Sequence, residues 1–317
     1  MDLSPKEQVM KIINDVSQKF RDSLRGNLDS QNTELIGGAR INFTFNSHFT
    51  NFINNIDPLT AINDDQIRAM LYNSSGSSSV ILFSHSAFEQ LAKLSIQMLK
   101  PHSIKLVSIV FGELVRITNT IITSNSVMRF PALNEMISTS LIKLFKEHSE
   151  QTHKLVEAFL DWNVSYISTK HPDFIKWNEV LTKELELQNY ETTKSEKIDF
   201  YKDMERKLTL ESIPNILKIK GKMSYQESVE IGIIKSMVVS YFEIIKKIVI
   251  DQVPKAIMYG LVFKSSDKIQ ERLFLDIYDK KDLELIIVES SEISEKRNKL
   301  HTTLKALKQA YDLVCSL

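Results

Sequence analysis

Over most of its length the chain carries almost nothing that would stop a helix. Eight glycines and seven prolines are spread over 317 residues, which is sparse for a globular chain and makes the elements between them long. Apolar residues then recur at spacings of three and four, the mark of a buried helix face. The first such run is Val9, Ile12, Ile13, Val16, Phe20 and Leu24, preceded by Ser4 as N-cap, Pro5 at the first helical position and Glu7 three residues after the cap. The stretch 26–30 breaks it. Helix is expected again from Leu35 to Ile56 and, after the Asn63-Asp64-Asp65 cap signal, as far as Tyr72. The run Asn73 to Ser79 is expected to be a loop, having no side chain fit for a core.

Beyond it, Phe88, Leu91, Leu94 and Met98 trace a helix that Pro101 either kinks or divides. Val107, Val110, Leu114, Ile117 and Ile121 follow, flanked by enough further apolar positions to suit a bundle of several helices rather than a two-stranded seam. Pro131 opens a helix whose expected inward positions are Ile137, Leu141, Leu144, Leu155, Phe159, Trp162 and Tyr166, about 50 Å of rod at ~1.5 Å per residue. The period is lost from Ile175 to Met223, which the mixed charges mark as a linker or insert. It returns at Ser224, with Ile231, Ile234, Val238, Tyr241, Ile245 and Ile248 inward and Pro254 in the helix's later third. Two shorter helices are expected over 266–278 and from Ile293 to the end. The predicted fold is all-α: an elongated antiparallel bundle with crossing angles near ~20°.

The composition narrows the chemistry. Formal net charge is zero and no Lys/Arg block is concentrated enough to neutralise a phosphate backbone, so nucleic acid is excluded as an expected partner. The single Cys315 can form no internal disulfide, which fits a reducing compartment. Met1 to Glu7 lacks a secretory pattern, and apolar stretches such as 237–242 are soon interrupted by charge, so the expected location is cytoplasmic. No two glycines stand at the spacing of a phosphate-binding loop, so these residues offer no nucleotide-hydrolysing machinery and no cofactor is expected. Glu150 and His153 make one Glu-x-x-His step; a di-metal bundle site needs two, and no other histidine has Glu three residues before it. No metal or catalytic residue is therefore assigned.

Several short motifs, in order, resemble the dynamin family. Leu35-Ile36-Gly37-Gly38-Ala39-Arg40-Ile41-Asn42, then Ile56-Asp57-Pro58-Leu59 and Asp65-Gln66-Ile67-Arg68, resemble the start of its middle region. Arg129-Phe130-Pro131-Ala132-Leu133 resembles its Arg-Phe-Pro-x-Leu turn, and Tyr166-Ile167-Ser168-Thr169-Lys170-His171-Pro172-Asp173-Phe174 is similar to a segment of its organelle-fission and vacuolar-sorting branch. Ile234-Lys235, Ser240-Tyr241-Phe242 and 253–258 resemble the GTPase effector region.

That resemblance implies a stalk whose middle region is residues 1–175, with an insert at 176–222. The effector region over 223–288 completes the bundle, and 289–317 is the helix of the signalling element. Met1 stands where the family's GTPase domain would join, so a stalk without that domain is expected. By resemblance the stalk is no enzyme: it self-assembles, first as a homodimer, for a parent GTPase that remodels membranes and is recruited to organelles peripherally. Its implied partners are its own copies and the parent's GTPase domain, with the membrane touched only indirectly. The alternative within the family is the stalk of a myxovirus-resistance-like antiviral protein; the His-Pro-Asp-Phe wording favours fission.

Dimer contacts carry over to Met258, Tyr259 and Gly260, with Tyr166 and Ile167 nearby; a bundle-core role for Tyr166 and Ile167 is the competing reading. Gly260 replaces the larger apolar residue usual there. Gly76-Ser77-Ser78-Ser79 stands where this branch usually has Gly-Pro-Arg-Pro in its assembly loop, whether by engineering or by drift. Loss of the bidentate arginine and both stiffening prolines is expected to weaken polymerisation. Lysines among the isoleucines of 213–222 favour a docked or disordered connection over a membrane contact. The last helix, without its family partners, is expected to fold back, pair with another copy or fray.

Overall fold

A computed structural model describes residues 4–26, 34–60, 62–75, 84–123, 126–175, 223–278 and 283–315, and no strand occurs among them. The insert 176–222, including the lysine-rich 213–222, and the serine loop 76–79 lie outside the described residues. The helices are α1 (Pro5–Arg25), α2 (Gly37–Phe43), α3 (Thr50–Asn54), α4 (Asp64–Ser75), α5 (His85–Gln97), α6 (Lys100–Thr123), α7 (Pro131–Ser165), α8 (Tyr225–Ile257), α9 (Lys264–Leu273), α10 (Leu283–Ile286) and α11 (Ser291–Cys315). π-helical turns at Thr44–Phe49, Met258–Phe263 and Phe274–Tyr278 continue them without a break. The residues divide into two compact units. One comprises Met1–His48, Lys105–Leu155 and Pro254–Leu317, the other Phe49–Ile104 and Val156–Val253.

In the first unit, α1 starts as its sequence requires: Ser4 and Glu7 form a reciprocal capping box, and Gly26 closes the helix in the left-handed conformation. Its apolar stripe is buried, and Phe20 stacks on Phe145 of α7 at 5.6 Å between centroids. The Gly-Gly of the first family motif lets α2 begin directly against α1. A Cβ on Gly38 would come within 2.0 Å of the Leu24 carbonyl oxygen, and Gly37, at φ +58°, would meet Ser23. The unit is further tied by Arg40 to Glu113, Ser140 to Asp276, and Arg272 to both Glu147 and Asp276.

The second unit has an aromatic centre and a polar register lock. Phe174 is fully buried, stacked on Phe88 and edge-on to Tyr241, while the Ser168 N–H donates to the Tyr241 hydroxyl at 3.1 Å. Burial, with no compensating charge, pushes the Tyr241 hydroxyl pKa up. Lys246, also buried, extends its ammonium to Glu243 and to the carbonyl of Asn54 at the end of α3, where the helix dipole favours a cation.

One open alternative is decided and two expectations change. Pro101 divides rather than kinks: α5 ends at Gln97 and Pro101 sits in the first turn of α6, where its missing N–H is no loss. α4 continues through Asn73 to Ser75, Ser74 donating to the Leu71 carbonyl, so these three residues of the expected loop are helical. The effector region does not restart near 266: helix runs from Tyr225 to Tyr278, with Pro254 inside it and π turns absorbing the change of register.

Candidate self-association surface

The first half of α7 buries the positions its spacing suggests, Ile137, Leu141 and Leu144, but beyond Thr152 the buried face differs from the expected one. The buried line runs Leu133, Ile137, Leu141, Phe145, Thr152, Val156 and Leu160, then on to Ile167, and so passes through a polar residue at mid-helix. Leu155, Trp162 and Tyr166 point outward, with Trp162 64% and Tyr166 74% exposed. Phe159, one turn before Trp162, is half-buried. Two exposed aromatics one turn apart are costly to leave in water and mark a surface that meets something. Of the two positions singled out here, Tyr166 is one of these aromatics and Ile167, at 8% exposure, lies behind it in the core.

The other three candidates begin the π turn Met258–Phe263 of the first unit. Met258 is half-buried, Tyr259 is 62% exposed with the Lys264 ammonium 5.1 Å over its ring, and Gly260 is buried. A Cβ at Gly260 would sit 2.6 Å from the Thr152 hydroxyl, so in this chain the glycine permits close packing within the unit. Exposed apolar surface at the turn comes instead from Tyr259 and from Phe263, 54% exposed. Phe263 and Trp162 were missed as site residues; their signal was an aromatic one helical turn from a motif residue.

Behind the turn, His148 Nδ1 and Ser265 Oγ are 2.9 Å apart, and Thr152 donates to the His148 carbonyl. Burial first, then the nearby Lys264, Arg272 and Lys268 against the opposing pull of Glu147, holds the His148 pKa below its ordinary value. A depressed histidine stabilises the fold fully above its unfolded pKa of ~6.5 and loses that contribution as pH falls through the folded value. Melting temperature is therefore expected to drop between about pH 7 and pH 5, and His148→Asn to flatten that slope in thermal melts recorded across the range. An unchanged slope would refute the assignment.

At the far end of the effector region, Glu289 takes both Arg129 and Arg297, and the Ser290 N–H donates to the Arg129 carbonyl. α11 departs from this junction as a helix with Leu300, Leu304, Leu307 and Tyr311 all exposed, neither folded back nor covered. The assembly-loop candidates Gly76, Ser77, Ser78 and Ser79 lie outside the described residues; the α4 helix leading to them is fixed by Arg68 and Tyr72, which both bond Glu227 on α8. Among the described residues no His, Cys, Asp and Glu side chains group as metal ligands.

Comparison with known proteins covers nearly the whole sequence. Residues 1–183 match the dynamin central region, and residues 226–317 match the dynamin GTPase effector domain. The chain is 30% identical to vacuolar protein sorting-associated protein 1 of Schizosaccharomyces pombe, in an alignment that takes in 98% of this chain and 50% of that protein. It is 24% identical to dynamin-related protein DNM1 of Saccharomyces cerevisiae and 24% identical to the dynamin-1-like protein of Danio rerio, each alignment taking in 98% of this chain and 51% of the relative. The chain thus spans about half the length of the curated relatives it matches.

Proposed function

This chain belongs to the dynamin family, and from that premise we propose that its work is self-assembly: it is the non-catalytic stalk of a cytoplasmic large GTPase that remodels or divides organelle membranes. The observation that carries this reading is the pair of outward aromatics at the end of α7, Trp162 in its last turn and Tyr166 just beyond it. A two-fold dimer needs a patch that recognises its own copy, and exposed aromatics supply contact area at low entropic cost. In this proposal the contact residues are Tyr166, with Trp162 one turn before it and Ile167 as core, in one unit, and Met258 and Tyr259, with Phe263 one turn on and Gly260 as packing, in the other. Residues 76–79 are the higher-assembly loop, weakened by its serines. The exposed stripe of α11 meets the parent's GTPase domain, and the membrane is engaged only through the assembled parent.

Sedimentation velocity tests it. The chain is expected to run as a dimer that forms no filaments, and Trp162→Glu with Tyr166→Glu to weaken the dimer by about thirtyfold or more at unchanged helical content. A monomer at all concentrations, or a dimer indifferent to both substitutions, would overturn the proposal.

A further inference from the structure

Gly260 is a buried glycine inside a helical run, in the π turn Met258–Phe263. The positive-φ glycines of the described residues are Gly26 and Gly37, so at 260 the backbone accepts any L residue, and the glycine weakens the helix for no conformational reason. Space is the reason that remains. The three atoms nearest to a Cβ built there all belong to Thr152: its hydroxyl oxygen at 2.6 Å, then its Cβ and Cγ2 at 3.5 Å. Thr152 is 1% exposed and donates to the His148 carbonyl at 2.8 Å, so this branched side chain cannot swing clear without giving up that bond. Farther along, Ser265 is fully buried with its Oγ 2.9 Å from His148 Nδ1. Two polar residues one turn apart on α7 therefore hold the chain at 260 and at 265. Between these ties Leu261 and Val262 are fully buried, while Tyr259 and Phe263 face out.

We propose that Thr152 and Gly260 are a fitted pair that positions the self-association turn: the threonine hydroxyl fills the space of the missing side chain, and the fit holds the turn against α7 with Tyr259 and Phe263 outward together. This rests on the reading of Met258 and Tyr259 as contact residues, and it names the residues that aim them. A Cβ at 260 lifts the turn off α7 while Ile257 before it and Ser265 after it stay seated in the core. A close-packed interior does not absorb such a displacement, so it falls on the two exposed aromatics between those seats. Thr152 and Gly260 touch no partner copy themselves, being buried; they act through Tyr259 and Phe263.

Sedimentation velocity on full-chain variants tests this. Gly260→Ala is expected to weaken the dimer about tenfold at unchanged helical content. Thr152→Ala with Gly260→Ala should match Thr152→Ala alone within about twofold, because the one neighbouring atom that alanine keeps is Cβ, 3.5 Å away and in ordinary contact. Thr152→Val with Gly260→Ala should bring no recovery, since valine keeps the volume and loses only the hydrogen bond. Hydrogen exchange, at a dilution that leaves the chain monomeric, supplies a second reading: Gly260→Ala should speed exchange at 258–265 more than in α6, and the double alanine variant should restore it. A Gly260→Ala dimer as tight as the unsubstituted one would overturn the pair, and so would a double alanine variant that folds but dimerises more weakly than Thr152→Ala. If Gly260→Ala does not fold, that same double variant decides. A chain that never dimerises refutes the self-association reading; unchanged exchange in Gly260→Ala refutes the fitted pair.

Discussion

Arg68→Ala is expected to cost about 3–5 kcal/mol of folding stability, read by urea denaturation. The Arg68 and Glu227 side chains are only 7% and 8% exposed, and the guanidinium forks onto both carboxylate oxygens at 2.9 Å. Tyr72 donates to the same carboxylate at 2.6 Å, and so does the Ser224 N–H at 2.7 Å, which makes Glu227 the capping residue of α8 as well. Removing the arginine leaves a buried anion with too few donors. Replacing both partners, Arg68→Leu with Glu227→Leu, is expected to recover most of the loss, because desolvating the pair offsets much of its attraction. Arg68→Lys should recover little, since an ammonium cannot fork. Burial alone would raise the Glu227 pKa, but Tyr72, the Ser224 N–H and Arg68 together hold it below the ordinary carboxylate value. Its contribution is therefore complete above about pH 4.3 and lost as pH falls through the lower folded value. A penalty for Arg68→Ala below about 1 kcal/mol would show that the lock is not needed.

Such a lock explains what could and could not be read in the sequence. Helices with unbroken apolar stripes were legible, α1 down to its capping box, because local chemistry alone decides them. The second half of α7 was not: its buried line passes through Thr152, whose hydroxyl donates to the helix's own His148 carbonyl, one turn after half-buried His148 meets Ser265. An apolar count skips those positions and lands on the neighbouring stripe, which is how Trp162 and Tyr166 were expected inward. The join at 258–263 was hidden for a related reason, since a π turn shifts the period instead of ending the helix. The return of helix at Ser224 was visible, but nothing local says that Glu227 takes a buried arginine 159 positions away. At the candidate surface, short motifs located the segments; which residue of each faces out depended on packing from elsewhere in the chain.

The second large effect belongs to the last residue of the Tyr166 to Phe174 motif. Phe174→Ala is expected to cost about 3–5 kcal/mol, because the ring is fully buried between Phe88, which it stacks on at 5.6 Å, and Tyr241, edge-on at 5.4 Å. Phe88 and Tyr241 lie on α5 and α8 and also meet each other edge-on, so each of the three rings touches the other two. The backbone before Phe174 depends on the same set, since the Ser168 N–H bonds the Tyr241 hydroxyl. Loss of the ring should therefore release residues 168–175 as well as lower the unfolding midpoint, and hydrogen exchange there is expected to accelerate more than in α6. Phe174→Leu keeps part of the contact and should lose about half as much. The motif thereby anchors residues 168–175 to α5 and α8. Protection at 168–175 that survives Phe174→Ala would remove that role.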